Sequence, residues 1–330
     1  MRRRLLDLCI CGAAWALMPL ATRAQEASPP TAGPQFAPGV LTVIAPDVDA
    51  SDSLRVHDVV EIRVQADLQW EPSKWLTWEG ATTAPTNRTL FEMAENAAFL
   101  QDVWCLELAF KPLRMIEVDV PQPSGRYQRK QIWYMVYRVR NTGAGLTTEV
   151  EADGEFATAP QGAEPLSFMA QFVLVSKDDD GTPGAMRKAY LDRVIPAAMP
   201  AIERREFGGR SLLNSVEMAS VELPIEQGRT ERGAWGVAMW EDLDPEIDFF
   251  SIYVGGLTNA NQWEDPPGAL QAGDPPGKGR RFTRKMLQLN FWRPGDAIDA
   301  DEREIRFGAA PGEGARYDAA EGVAYQWIYR

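Results

Sequence analysis

Apolar and polar residues alternate along this chain in short runs separated by turns rich in Pro and Gly. Over residues 59–65, Val60, Ile62 and Val64 fall on one side and Glu61, Arg63 and Gln65 on the other. That period of two is the mark of a half-buried strand. Trp104, Leu106, Leu108 and Phe110 repeat it against Cys105, Glu107, Ala109 and Lys111. After Pro112, Ile116, Val118 and Val120 oppose Glu117 and Asp119, and residues 121–125 read as a turn. Residues 132–139 begin apolar on both sides, as a strand in the middle of a covered sheet does. Phe168, Ala170, Phe172 and Leu174 form a further inward set, with Gln171 opposite, ending in the acidic turn 178–181. Further strands are expected at about 214–223, 234–241, 248–257, 284–292 and 323–329.

Two stretches break this rhythm. Thr89 and Glu92 have the spacing of a capping box, which predicts a short helix through about Leu100. At about 185–206, Met186, Tyr190, Leu191 and Val194 have helical spacing, while Pro196 and Pro200 bar one continuous helix. This predicts one or two short helices inserted between strands. Many strands, few helices and Pro/Gly-rich loops at 265–279 and 308–314 indicate an antiparallel β-sandwich, not a parallel α/β sheet.

The N-terminus belongs to a different class of segment. Arg2, Arg3 and Arg4 precede a mostly apolar stretch through Leu20, and Ala21-Thr22-Arg23-Ala24 follows with small residues where a signal peptidase reads. Asp7 and Pro19 interrupt that stretch, leaving it short of the about 20 apolar residues of a membrane span. A signal peptide is therefore expected over 1–24, and a flexible Pro/Ala/Gly-rich tether over 25–39. Cleavage after Ala24 removes four arginines and one aspartate, so the net charge of −13 becomes −16. A balance of that sign opposes binding to nucleic acid or anionic lipid. Cleavage also removes Cys9 and Cys11, leaving Cys105 alone, so no intramolecular disulfide is expected in the oxidising compartment.

Candidate chemistry is thin. His57 is the only histidine, which leaves too few ligands for a zinc site; a Ser-His-acid arrangement would have to use it, and no Gly-x-Ser-x-Gly elbow is present, so no cofactor or metal is expected and no triad is indicated. The run 178–181 lacks the alternating ligands of a calcium loop. Cys105 lies on a strand and reads as an inert small side chain. Glu241, Asp242, Asp244, Glu246 and Asp248 form the densest acidic cluster, where a carboxylate pair for hydrolysis would have to be sought. Two stretches are candidate partner-binding surfaces. Trp70, Trp75 and Trp78 crowd together outside any alternation and suit stacking on sugar rings. Lys278, Arg280, Arg281, Arg284 and Lys285 place five cations within eight positions of an acidic protein, as an anionic partner would require. Charge that keeps an edge strand from pairing explains the same residues structurally.

The run Tyr134-Met135-Val136-Tyr137-Arg138-Val139-Arg140-Asn141-Thr142-Gly143 resembles a central strand of immunoglobulin-like modules in exported bacterial proteins. Phe172-Val173-Leu174-Val175 resembles their middle strand. Trp235-Gly236-Val237-Ala238-Met239-Trp240, with the stretch 248–256, resembles their last pair. The segment from Trp240 through Asn259, with Leu287 through Asp296, is similar to an uncharacterised family of such proteins, without assigned activity. The resemblance covers roughly residues 104–330 and implies a mainly β fold, an immunoglobulin-like antiparallel sandwich with a short helical insert and N- and C-terminal elaborations; the whole domain is expected over 40–330. The expected function is that of an exported, non-catalytic envelope or interaction protein, periplasmic or extracellular. Its partner would be an unknown envelope protein or a glycan. A Trp-based glycan-binding module and a carboxylate-dependent hydrolase are the alternatives.

Overall fold

The computed structural model describes residues 41–55, 99–150, 156–178, 187–226, 233–264, 266–268, 279–294 and 302–330. The signal peptide, the tether, the strand at 59–65, His57, the capping box at Thr89, the three tryptophans Trp70, Trp75 and Trp78, and Lys278 lie outside the described residues. The fold is mainly β, with antiparallel sheets stacked as a sandwich. In chain order, the first seven of its main strands are β1 (Thr42–Ile44), β2 (Glu107–Phe110), β3 (Arg114–Pro121), β4 (Tyr127–Arg140), β5 (Gln171–Ser176), β6 (Ala189–Leu191) and β7 (Ala234–Glu241). Then follow β8 (Phe249–Gly255), β9 (Asn261–Glu264), β10 (Arg281–Trp292), β11 (Arg306–Phe307) and β12 (Tyr325–Tyr329).

Strand β4 organises the first sheet. Along one edge it pairs with β3 and then β2, and along the other with β7; β1 extends the sheet beyond β2. Its residues 132–139 are all buried because both faces are covered. Trp133, Met135, Tyr137 and Val139 point between the sheets, while Ile132, Tyr134 and Val136 point to an outer layer. That outer layer is helix α1 (Met199–Glu206), which sets Ile202 against the sheet beside Ile195 and Ala198. Glu206 at its end accepts from Tyr134 Oη at 3.0 Å and pairs with Arg114 at 3.1 Å, clasping the helix to the sheet.

The second sheet runs β6-β5-β8-β10, each neighbour antiparallel. β10 is twelve residues long, and several segments share its edges. β8 and β9 follow one edge, separated by residues 256–260, while β11 and β12 follow the other. Phe172, Leu174, Phe250, Ile252, Val254, Leu287, Leu289 and Phe291 face the first sheet and complete the core. The Phe250 and Phe291 rings stack with centroids 5.4 Å apart, and Trp133 meets Phe250 edge-on at 5.6 Å. Such pairs add about 0.5–1.5 kcal/mol each beyond the area they bury. As the alternation predicts, Phe168, Phe172 and Leu174 are buried and Gln171 is exposed.

Three expectations require correction. The helical spacing at 185–206 misleads over its first half. Residues 189–191 form strand β6, with Tyr190 packed on the core and Leu191 turned outward. The helix begins only at Met199, where Pro200 occupies the first turn and needs no hydrogen-bonded N–H. The expected strand at 214–223 opens instead as helix α2 (Ser215–Met218) and regains strand pairing only at Glu222–Leu223. Asn214 caps α2 through the N–H groups of Val216 and Glu217, and Glu217 returns the bond, so local capping wins over the apolar pattern. Finally, Phe99–Leu100 pairs with Leu54–Arg55 as a two-stranded ribbon, so the helix predicted to reach Leu100 does not extend that far.

Candidate functional site

The acidic cluster between β7 and β8 is built from ion pairs. Glu241 is bound by Lys130 at 2.9 Å and Arg193 at 2.5 Å, and Lys130 also reaches Asp242 at 2.8 Å. Asp244 is bound by Lys188 and accepts the Glu246 N–H, fixing the turn that carries the chain from one sheet to the other. Burial works to raise the Glu241 carboxyl, but the hydrogen bonds and charges of Lys130 and Arg193 outweigh it and hold it below the ordinary range. The Lys188 hydrogen bond does the same for Asp244. Asp248 is pushed up by burial and by the charge of Asp178, which itself accepts the N–H groups of Asp248 and Phe249. Asp178 is thus a support for the start of β8.

Cys105 is fully buried, and burial pushes its thiol up to about 12, far from a reactive thiolate. The basic stretch does not act as one surface. Lys285 is only 5% exposed and is sandwiched by Asp52 at 2.6 Å and Asp47 at 2.8 Å, which removes it from the partner-binding candidates. The physical reason is the phase of β10, which turns Lys285 to the side of Leu287 and Leu289, at the rim of the core. Arg280 stacks over the Trp263 ring at 3.9 Å, and Arg281 lies 3.6 Å from Glu264. Arg284 is exposed on the opposite face of β10, in phase with Met286, Gln288 and Asn290.

That outer face of the second sheet carries an open cleft of about 260 Å³. Its floor is a cross-strand row in which Tyr253 pairs with Gln288, and Gln288 with Gln326. The Gln288 amide is fixed on every side. Its Nε2 donates to Asn290 Oδ1 and Tyr317 O, both at 2.8 Å, and its Oε1 accepts from Gln326 Nε2 at 3.2 Å. Ser251 Oγ and Asn290 continue this buried polar ladder. One wall is Asp318, placed just after a 3-10 turn (Gly314–Tyr317) in the left-handed conformation, φ 54°. Its carboxylate takes Lys177 and Arg187, each at 3.2 Å. Burial works to raise the Asp318 carboxyl, yet these two cations hold it below the ordinary range. Across the cleft, Ile328 and Arg330 follow Gln326 on β12 and beyond it, with the Arg330 guanidinium 4.4 Å over the Tyr253 ring.

Sequence reasoning singled out Arg284 on this face and missed the rest. The period-2 pattern of β10 and of the last strand held the signal, since Gln288, Asn290 and Gln326 are polar residues on strands otherwise rich in apolar side chains. Among the described residues no helix is long and apolar enough to cross a membrane. No protein-family model, curated protein or solved structure matches the chain.

Proposed function

We propose that the chain is an exported, non-catalytic binding module on an immunoglobulin-like sandwich, with the outer face of its second sheet as a recognition surface. The observation that carries the binding reading is the state of the acidic cluster. Glu241, Asp242 and Asp244 each answer to a lysine or arginine, and the Glu241 and Asp244 carboxyls are held low. A general acid needs the opposite, a carboxyl raised toward neutrality; Asp248 is raised, but the Asp178 beside it spends a carboxylate oxygen on the Asp248 and Phe249 N–H groups as a support for the start of β8. The preformed polar cleft, by contrast, has a rigid floor and open walls, as a binding site requires.

The strand connectivity supports the immunoglobulin-like assignment. In that topology the second and fifth strands pair in one sheet, and the third, sixth and seventh pair in the other. β4 with β7, and β5 with β8 and β10, follow this order, with β2 and β3 in the place of the first strand and β6 beside β5. Export, to the periplasm or beyond the cell, rests on the signal-peptide pattern of residues 1–24; intact-mass measurement on native material should give a chain beginning at Gln25. The partner is an envelope protein or a glycan. Incubating purified protein with cell-wall and polysaccharide substrates should release no product. Turnover abolished by Glu241→Gln, Asp242→Asn or Asp244→Asn would replace this reading with a hydrolase.

A further inference from the structure

We infer that two copies of this chain join strand to strand along β12, about a two-fold axis at Trp327, and so continue the second sheet from one molecule into the next. The backbone ladder is the first ground. Arg284 and Arg330 exchange backbone hydrogen bonds of 2.9 and 3.0 Å, and the Asn290 N–H donates to the Ala324 carbonyl at 2.9 Å. Bonded pairs alternate along an antiparallel ladder, so the register makes Ile328 and Gln326 the next bonded positions, opposite Met286 and Gln288. Tyr325, Trp327 and Tyr329 therefore turn their N–H and C=O groups away from β10. β10 is the one strand that β12 pairs with, and among the described residues nothing else bonds these three N–H and C=O groups. An open row of this kind is a template for another strand.

The other edges of the two sheets are closed, charged or short. Main-chain bonds from Leu213 and Arg193 occupy the outer side of β7. β3 and the start of β4 carry Glu117, Asp119, Arg129 and Lys130, while β1, β6, β9 and β11 run only two to four residues. From Tyr325 to Tyr329, β12 has neither a charge nor a proline to keep a strand away. It is also self-complementary, which fixes the occupant as a second copy. With Trp327 facing Trp327, the open residues form three bonded pairs of two hydrogen bonds each. On the core side each Tyr325 meets a Tyr329 and the two tryptophans meet each other. On the outer side each Gln326 meets an Ile328, so no like charges stand opposite. The strand is already held in shape: the Tyr329 hydroxyl donates to Asp52, and the Lys285 ammonium lies 6.0 Å from the Trp327 ring centre. Gln326 and Ile328 also line the cleft, so the pairing sets the two clefts side by side. The inference stands on the strand edge and not on what the cleft binds.

Sedimentation velocity on the full chain tests this first. It should show a monomer at about 1 μM and a dimer at about 100 μM, the weak association of a small interface. Ile328→Lys puts a charge on the open edge and should weaken the dimer at least about tenfold, with the circular dichroism of the monomer unchanged. Register is tested by cross-linking. Gln326→Cys combined with Ile328→Cys places cysteines directly opposite across the two-fold, so mild oxidation should give a disulfide-linked dimer. Ile328→Cys alone should not, and the buried Cys105 takes no part. If Ile328→Lys unfolds the chain, the cross-linking decides. A chain that stays monomeric at about 100 μM, a dimer indifferent to Ile328→Lys, or a double-cysteine variant that fails to cross-link would each overturn the inference. The recognition reading of the cleft would stand in all three cases.

Discussion

Replacing Lys285 by Met separates an exposed cation from a buried one more sharply than any other single change. The Lys285 ammonium is 2.6 Å from an Asp52 carboxylate whose side chain is 2% exposed, and it also donates to the Asp47 carbonyl at 3.1 Å. Without it, Asp52 keeps the Asp49 N–H at 2.9 Å and the Tyr329 hydroxyl, but its charge has no buried counterion. Removing one partner of a buried pair costs about 3–5 kcal/mol, mostly the penalty on the charge left behind. With a urea m-value of about 3 kcal/mol/M, the midpoint should fall by about 1–1.7 M. Arg281→Ala, at an exposed pair 3.6 Å from Glu264, should change stability by under about 1 kcal/mol. Adding Asp52→Asn to Lys285→Met should restore most of the loss, because no buried unpaired charge remains and the half-exposed Asp47 is solvated. Tryptophan fluorescence across a urea series reads all three. A Lys285→Met midpoint no lower than that of Arg281→Ala would mean that Lys285 is solvated, and the clasp would be refuted.

Two further outcomes follow from packing and charge. Phe172→Ala, at a ring 4.7 Å from Tyr137, should cost about 3–5 kcal/mol, while Gln171→Ala should cost well under about 1 kcal/mol; equal costs by urea unfolding would put the strand in the wrong phase. Because the carboxyls of Glu241 and Asp244 are depressed in the folded chain, their contribution is present above their ordinary values of 4.5 and 3.8 and lost as pH falls through the folded ones. The melting temperature should therefore drop on acidification below about pH 4.5, and Glu241→Gln should drop less steeply; parallel curves would contradict the ion-pair account.

Most of the sandwich was legible because its strands are long and their environments uniform. β4 announces two covered faces by seven apolar or aromatic residues among its eight buried positions, and β7 was bounded to the residue. β6 was not legible because three residues are too few to establish a period, and Tyr190 and Leu191 fit a helix equally well. Helix α2 was legible in principle through Asn214 and Glu217, a capping box overlooked beside the apolar Val216 and Met218. The candidate site was the hardest part. Its lining residues come from segments far apart in sequence, Arg187, Tyr253, Gln288, Asp318 and the stretch from Gln326 to Arg330. A local cluster such as 278–285 draws the eye, yet the strand period sends Lys285 and Arg284 to opposite faces.

The Asp52–Lys285–Tyr329 clasp also fixes when folding can finish. Its hydrogen bonds join residues 233 and 277 positions apart, and β1 and the 3-10 turn beside it lie near the beginning of the described chain. Contacts of such separation are slow to form, since the loop between them must close before they contribute anything. The first segment therefore keeps Asp52 without its counterion until the strand that carries Lys285 is in place. A chain cut before Tyr325 would keep that counterion but lose the Tyr329 hydroxyl that closes the clasp over Asp52.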